Sequence, residues 1–446
     1  VSMEEISQQP FGSRIRSYMK MTGPGYMQSA MTLGGGSVAS CAVLGSMFGY
    51  KYLWVQVVAM FFGFVILACV AKQTCNSGER AYETFKRELH ISLALLWAGS
   101  AFIATILWHI PQYSLTANGV ITLADGLSLN LDNTPARVGM GVVLFGAACA
   151  VVSLYHKGAD GLKAYERIVK SLVWCVVAAF TIVVIVSAKD IQWSAIFKGV
   201  TGITFIQDLM ANGIEDAAIK PVIGALAAAV GINMIFLYPY SLTEKGWGKQ
   251  HKELAYYDLF SGMAVPFILA TSMMVIAVGH ARDVGIVEEA IRDIREIIPV
   301  LSPVLGESMA RLITGFGITA IGFSTIITHM LAVGFIGCEI FNMQDNPKAR
   351  WWFSLIPGIG VIGVIIKFPV PLAITASTLA MPLMPVSVIC FLVLLNRKSY
   401  MKDEMPLGMT RLAWNVTLVV AIVVMSGSAI FALQKNWGSF QNMLQG

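Results

Sequence analysis

Three consecutive glycines inside an apolar stretch of membrane-spanning length constrain this chain more than any other feature. Thr32-Leu33-Gly34-Gly35-Gly36-Ser37 lies midway along the stretch from Gly25 to Phe48. Each Gly in a helix interior costs roughly 1 kcal/mol relative to Ala. Backbone that leaves the helix at membrane depth survives only where it is buried in protein or lines a cavity. The run therefore predicts a broken helix with a polar site at the break, an arrangement that places solute sites in secondary transporters. Close packing through small residues is the competing explanation.

The rest of the chain fits a membrane setting. Of its 446 residues, 56% are hydrophobic and 13% charged, against about 25% charged in soluble proteins. The polar first 20 residues, followed by a long apolar stretch, argue against a cleavable leader. Eleven apolar stretches have spanning length, at about 25–48, 52–71, 91–119, 138–155, 168–188, 219–242, 257–280, 309–338, 351–370, 372–395 and 410–434. With the N-terminus in the cytoplasm, 20 of the 31 Lys and Arg fall inside, while Asp and Glu divide almost evenly. A bias confined to Lys and Arg is the positive-inside signature. It predicts a multi-pass protein of the cytoplasmic membrane with its C-terminus outside. The net charge of +5 then reflects topology, and no nucleic-acid partner is expected.

Six of the seven cysteines fall in spans and Cys75 in a cytoplasmic loop, so no disulfide framework is expected. The longest outer loops, 189–218 and 281–308, are too short for a domain. The second is expected to carry a short amphipathic helix from Val287 to Ile298.

A second break is legible in the sixth stretch. There Gly231 and Asn233 sit at the centre and Pro239 follows, removing a backbone donor. Interruptions in the first and sixth spans, five apart, are what an inverted repeat requires. The expected architecture is an all-α integral membrane protein. It has a cytoplasmic segment 1–24, a five-helix repeat 25–188, an outer loop 189–218, an inverted five-helix repeat 219–395, and an eleventh helix with its tail at 396–446.

Gly23-Pro24-Gly25 opening the first span, Phe48-Gly49-Tyr50-Lys51-Tyr52-Leu53-Trp54 before the second, and Ala71-Lys72 with Ser77-Gly78-Glu79-Arg80 after it resemble the Nramp family (natural resistance-associated macrophage proteins). The resemblance implies a LeuT-type fold and alternating access. It also exposes departures. The family's first-span motif, Asp-Pro-Gly-Asn, whose Asp and Asn bind a transition metal, falls on Gly34, Gly35, Gly36 and Ser37. The sixth-span Met-Pro-His falls on Asn233, Met234 and Ile235, or one residue later, which would restore Met234. The acidic pair tied to proton passage falls near His109 and Gln112.

The residues themselves point the same way. No Asp, Glu, Lys or Arg lies deep within any of the eleven stretches, and a doubly charged ion without an anionic partner is costly in low dielectric. A Gly-rich break instead offers bare backbone groups, with hydroxyls and amides beside it. Thr32, Gly34, Gly35, Gly36, Ser37, Ser40, Gly231 and Asn233 are the expected binding residues. A small polar neutral or zwitterionic organic solute is the expected cargo, with a divalent ion such as hydrated Mg2+ or Mn2+ as the alternative. The coupling ion is H+ or Na+. His109, Gln112 and His329 are candidates for a proton path, and Ser324 with Thr325 for a sodium site. Thr375, Ser377 and Thr378 could line the path from the tenth span, or pack. No cofactor is implied, and no oligomeric state is expected from the small-residue faces at Gly36 and Gly63. HExxH, GxSxG and GxxxxGK[ST] are all absent, which argues against an enzyme and against ATP-driven transport by this chain.

Overall fold

The computed structural model describes residues 3–445 except 368, and side chains except at 369, 378, 381, 432, 433 and 435–445. The described residues form helices and connecting turns, with no strand. Among the described residues eight helices are long and apolar enough to cross a membrane, and one bent pair makes a ninth.

That pair is the first span. Half-helix 1a, Pro24–Thr32, and half-helix 1b, Gly35–Phe48, meet at 48°. Gly34 is extended (φ −77°, ψ −178°) and caps 1b, so the glycine run does break the helix. The sixth span is interrupted at the matching place: Asp216–Ala229 and Ile232–Glu244 are separated by extended Val230 and Gly231. The second to fifth spans run Leu53–Ser77, Ile91–Gly126, Thr134–Tyr155 and Gly158–Val186. The seventh spans Lys252–Asp283 with a π-turn at Phe260–Ala264. The eighth is Glu307–Ile340, and the last begins at Gly408.

The expectation of eleven spans is met at nine places. At the ninth stretch, helix Pro347–Leu355 gives way to 3-10 turns over Ile356–Ile365. Pro357, Gly358, Gly360 and Gly363 account for this: they weaken the α-helix and let the backbone approach the third span, where a Cβ on Gly363 would overlap the Ile110 carbonyl. The tenth is divided into Pro369–Ala380, Met381–Leu383 and Pro385–Leu395. The helix expected at Val287–Ile298 starts later. Asp293 caps a turn at Ile294–Ile297, and Ile298–Leu305 follows with Pro299 in its first turn, where proline is pre-organised. The loop 189–218 holds two short helices, Trp193–Val200 and Ile203–Asn212.

The third and eighth spans form the most extensive helix pair. Glycines bring their backbones together: a Cβ on Gly119 would lie 2.6 Å from the Thr319 nitrogen, and one on Gly315 2.8 Å from the Gly119 carbonyl. Half-helix 1b packs against the sixth, seventh and tenth spans, and 1a against the fifth and seventh.

At the end rich in Lys and Arg, the start of 1a is held by charge. Asp258, fully buried, accepts the backbone N–H groups of Gly23 at 2.8 Å and Gly25 at 2.6 Å. A carboxylate at a helix N-terminus satisfies free donors and complements the helix dipole. Lys245 donates to the Met21 carbonyl at 2.9 Å and to both Glu166 oxygens at 3.0 Å. A Cβ on Gly23 would overlap that Glu166 carboxylate.

Beside this clamp lies a cavity of about 610 Å³ lined by Lys20, His156, Glu166, Glu244, Lys245 and Arg350, among others. Neither ring nitrogen of His156 has a hydrogen-bond partner. Burial, helped by Arg350, lowers its pKa to about 4, against about 6.5 unfolded. The folded chain therefore binds fewer protons between these values. Stability present above pH 6.5 is lost as pH falls toward 4. The melting temperature is expected to drop across that window, and His156→Gln to flatten that part of the curve. Melting scans from pH 4 to 7 check this.

At the opposite end Arg137, buried at the start of the fourth span, donates to Asp132 at 2.7 Å, to the Val364 carbonyl at 2.9 Å and to Asn118 at 2.9 Å. Asn118 donates on to Asp293 at 3.0 Å. This network ties the third and fourth spans to the loop before the eighth. The Arg137 guanidinium holds the Asp132 carboxyl below its usual range.

Candidate functional site

The two helix breaks face a common cavity of about 20 Å³. Met31, Gly34, Gly36 and Ser37 line it from the first span, Trp108 and Gln112 from the third, and Ala227, Ala228, Gly231, Asn233 and Met234 from the sixth. Thr325 and His329 come from the eighth, and Ser377 from the tenth. Water needs at least about 10–15 Å³ on this measure, so the cavity has room for one water-sized occupant.

The break in the first span is held by neutral groups. The Gly35 N–H donates to the Gln112 side-chain oxygen at 2.9 Å, and the Gln112 amide nitrogen donates to the Trp108 carbonyl at 3.2 Å. Both ends of that amide are used, which fixes its orientation. The Ser37 hydroxyl bonds across the break to the Thr32 carbonyl. Thr325 donates to the Ala30 carbonyl at 2.7 Å, shared with Ile321 at 3.0 Å, and so ties the eighth span to the end of 1a.

At the second break the Gly231 N–H donates to the Met234 sulfur at 3.2 Å, and the Met234 N–H to the Asn233 side-chain oxygen at 2.9 Å. That leaves the buried amide nitrogen of Asn233 without a partner. The Ser377 hydroxyl is likewise unpartnered. A Cβ on Gly36 would lie 2.5 Å from it, so glycine at 36 is what lets the tenth span approach 1b.

Of the residues expected from sequence, Gly34, Gly36, Ser37, Gln112, Gly231, Asn233, Thr325 and His329 line this cavity; Thr32, Gly35, Ser40, His109 and Ser324 do not. Thr32 bonds back to the Ser29 carbonyl, and Ser40 lies against Gly224 of the sixth span. Ser324 bonds to Ile321 in its own helix at 3.0 Å, the ordinary behaviour of a helical serine. His109 stands behind His329, with the two Nδ1 atoms 3.4 Å apart and the His109 Nε2 buried without a partner. Thr375 does not reach the cavity, and the side chain of Thr378 lies outside the described residues.

Met234 was expected to give way to Asn233 in the family register, yet both line the site. They occupy the first turn of one helix, and the alternative register had kept the thioether. Met31, Trp108, Ala227 and Ala228 carried no sequence signal beyond apolarity. Among the described residues no Asp or Glu lines the cavity, and no cluster of three or more His, Cys, Asp or Glu could hold a metal.

The model of the natural resistance-associated macrophage protein-like family matches residues 25–430. The chain belongs to that family. It is 23% identical over 443 residues to the divalent metal cation transporter MntH of Caldanaerobacter subterraneus subsp. tengcongensis, covering 95% of this chain and 96% of that one. It is 22% identical over 435 residues to the MntH of Agrobacterium fabrum, covering 92% and 87%. Among solved structures, a manganese transporter from Eremococcus coleocola superposes with a TM-score of 0.70 at 13% identity, covering 96% of each chain. MhsT in complex with L-phenylalanine gives 0.55 at 13% identity, covering 89% and 98%. The nucleobase-cation symporter Mhp1 gives 0.54 at 13% identity, covering 92% of each. The chain is thus a multi-pass secondary transporter of the Nramp family with a LeuT-type fold. The names of its relatives favour the divalent-ion alternative over an organic cargo.

Proposed function

We propose that this Nramp-family chain carries a metal cation by alternating access, with the cargo held in the cavity between the breaks of the first and sixth spans. Divalent ions, for which its relatives are named, are the first to test. The carrying observation is the cavity of about 20 Å³ lined by the thioethers of Met31 and Met234, the His329 imidazole, hydroxyls and the amides of Gln112 and Asn233. A single ion fits that volume and an amino acid does not. The orientation has the N-terminus in the cytoplasmic compartment and the Lys- and Arg-rich loops on that side, in a cytoplasmic membrane. The coupling ion is H+, with the His109–His329 pair as its route, or Na+ beside Thr325.

A second reading keeps a small polar neutral or zwitterionic solute. The absence of any carboxylate around the cavity and the free amide nitrogen of Asn233 favour it, because both suit a ligand that brings its own negative oxygen.

Uptake into proteoliposomes separates the two. Manganese is offered under an inward H+ gradient, an inward Na+ gradient or neither, with amino acids, sugars and polyols as parallel cargoes. Saturable manganese uptake, lost on Met234→Ala, is the expected result. Saturable uptake of an organic solute with none of any metal would replace the first reading by the second.

A further inference from the structure

We propose that His329 is a direct cargo ligand, paired with Met234, and that these two neutral donors set a preference for a soft, singly charged metal ion. The inference rests on the metal-cation reading above and departs from the hard or borderline divalent ions for which the relatives are named.

The donor types carry the first half. Met234 and His329 line the same small cavity and are almost completely buried there. Thioether and imidazole together are soft and borderline donors; Mn2+ and Mg2+ favour carboxylate, carbonyl and water. The other side chains on the wall that carry donor atoms, Met31, Ser37, Gln112, Asn233, Thr325 and Ser377, are neutral as well.

Charge carries the second half. The cost of bringing an ion out of water grows with the square of its charge, and a buried charge persists only when paired or well coordinated. Without an anion around the cavity, a dehydrated divalent ion faces roughly four times the desolvation term of a monovalent one. A soft monovalent ion avoids that and gains from sulfur.

His109 completes the arrangement as a positioning residue. With the proton of His109 on Nε2, its Nδ1 accepts from the Nδ1–H of His329 across the 3.4 Å contact. The Nε2 lone pair of His329 is then left for the cargo. Metal-bound histidines are commonly oriented in this way through the other ring nitrogen. The opposite tautomer would present an N–H, so a bound cation selects the first. Met234 releases its sulfur by giving up one bond, that from the Gly231 N–H.

The test uses Ag+ as a redox-stable soft monovalent probe on the purified full chain, with binding stoichiometry measured by equilibrium dialysis. The seven cysteines contribute equally to wild type, Met234→Leu and His329→Phe, so the quantity read is the difference. One equivalent of bound Ag+ is expected to vanish in each variant, with gel-filtration profile and melting temperature retained. Wild type is also expected to bind that equivalent at least about tenfold more tightly than Mn2+, equal to 1.4 kcal/mol. If His329→Phe does not hold its fold, His329→Gln gives the same readout. Unchanged Ag+ stoichiometry in the folded variants would overturn the proposal, as would equal affinity for Mn2+. Manganese uptake that survives the loss of His329 would sink this inference and leave the metal-transport reading standing. Failure of every metal to bind would sink both.

Discussion

Gly35→Val is expected to reduce uptake to background while the chain still inserts and folds. A Cβ at Gly35 would already lie 3.3 Å from both the nitrogen and the oxygen of the Gln112 amide. Two further methyl groups have no room there, so the amide must move and the Gly35 N–H loses its acceptor at 2.9 Å. Overpacking of this kind costs about 1–3 kcal/mol, which a large helical protein tolerates. The functional loss is larger because the displaced element carries Gly34, Gly36 and Ser37 into the cavity wall. Gly35→Ala needs a shift of only a few tenths of an ångström and should retain measurable transport. Proteoliposome uptake beside a melting curve separates the effects. A Gly35→Val protein with normal uptake would show that the break does not shape the cargo site.

Asp258→Ala is expected to be the most destabilising single change at the Lys- and Arg-rich end. It leaves the N–H groups of Gly23 and Gly25 without acceptors in a fully buried place. Orphaned buried donors and lost bonds to a charged group together cost about 2–4 kcal/mol here. Asp258→Asn keeps one oxygen acceptor and should lose about half as much. Thermal melting of the two variants beside wild type gives the order. A melting temperature unchanged in Asp258→Ala would mean that water replaces the carboxylate and that 1a is not held there.

The first break was legible because three glycines in a row have no good use inside a helix. The second was legible because Gly231 and Asn233 interrupt an otherwise apolar run. What the sequence could not resolve was the choice between Asn233 and Met234. Successive residues in a first helical turn can both reach a cavity at that helix's end, and a motif match shifts by one without altering the apolar pattern. The divisions within the ninth and tenth stretches were hidden because hydropathy is blind to backbone conformation. Pro357, Gly358, Gly360 and Gly363 held the signal, and prolines at 369, 382 and 385 did the same for the tenth. The grip of Asp258 on Gly23 and Gly25 joins residues more than 230 positions apart. No local rule connects them. The sequence offers His329 as part of a proton path; its place on the cavity wall follows from how the third and eighth spans meet.

That meeting also decides what can move. Backbones in contact through Gly119 and Gly315 cannot slide past one another without collision, so the third and eighth spans behave as one stiff body. One side-chain hydrogen bond joins this body to each half of the first span: Gln112 accepts from Gly35, and Thr325 donates to Ala30. A change of access at the cavity is then expected to be a rotation of 1a and 1b against this pair of helices. Because each half has its own bond, one half is expected to tilt while the other keeps its place.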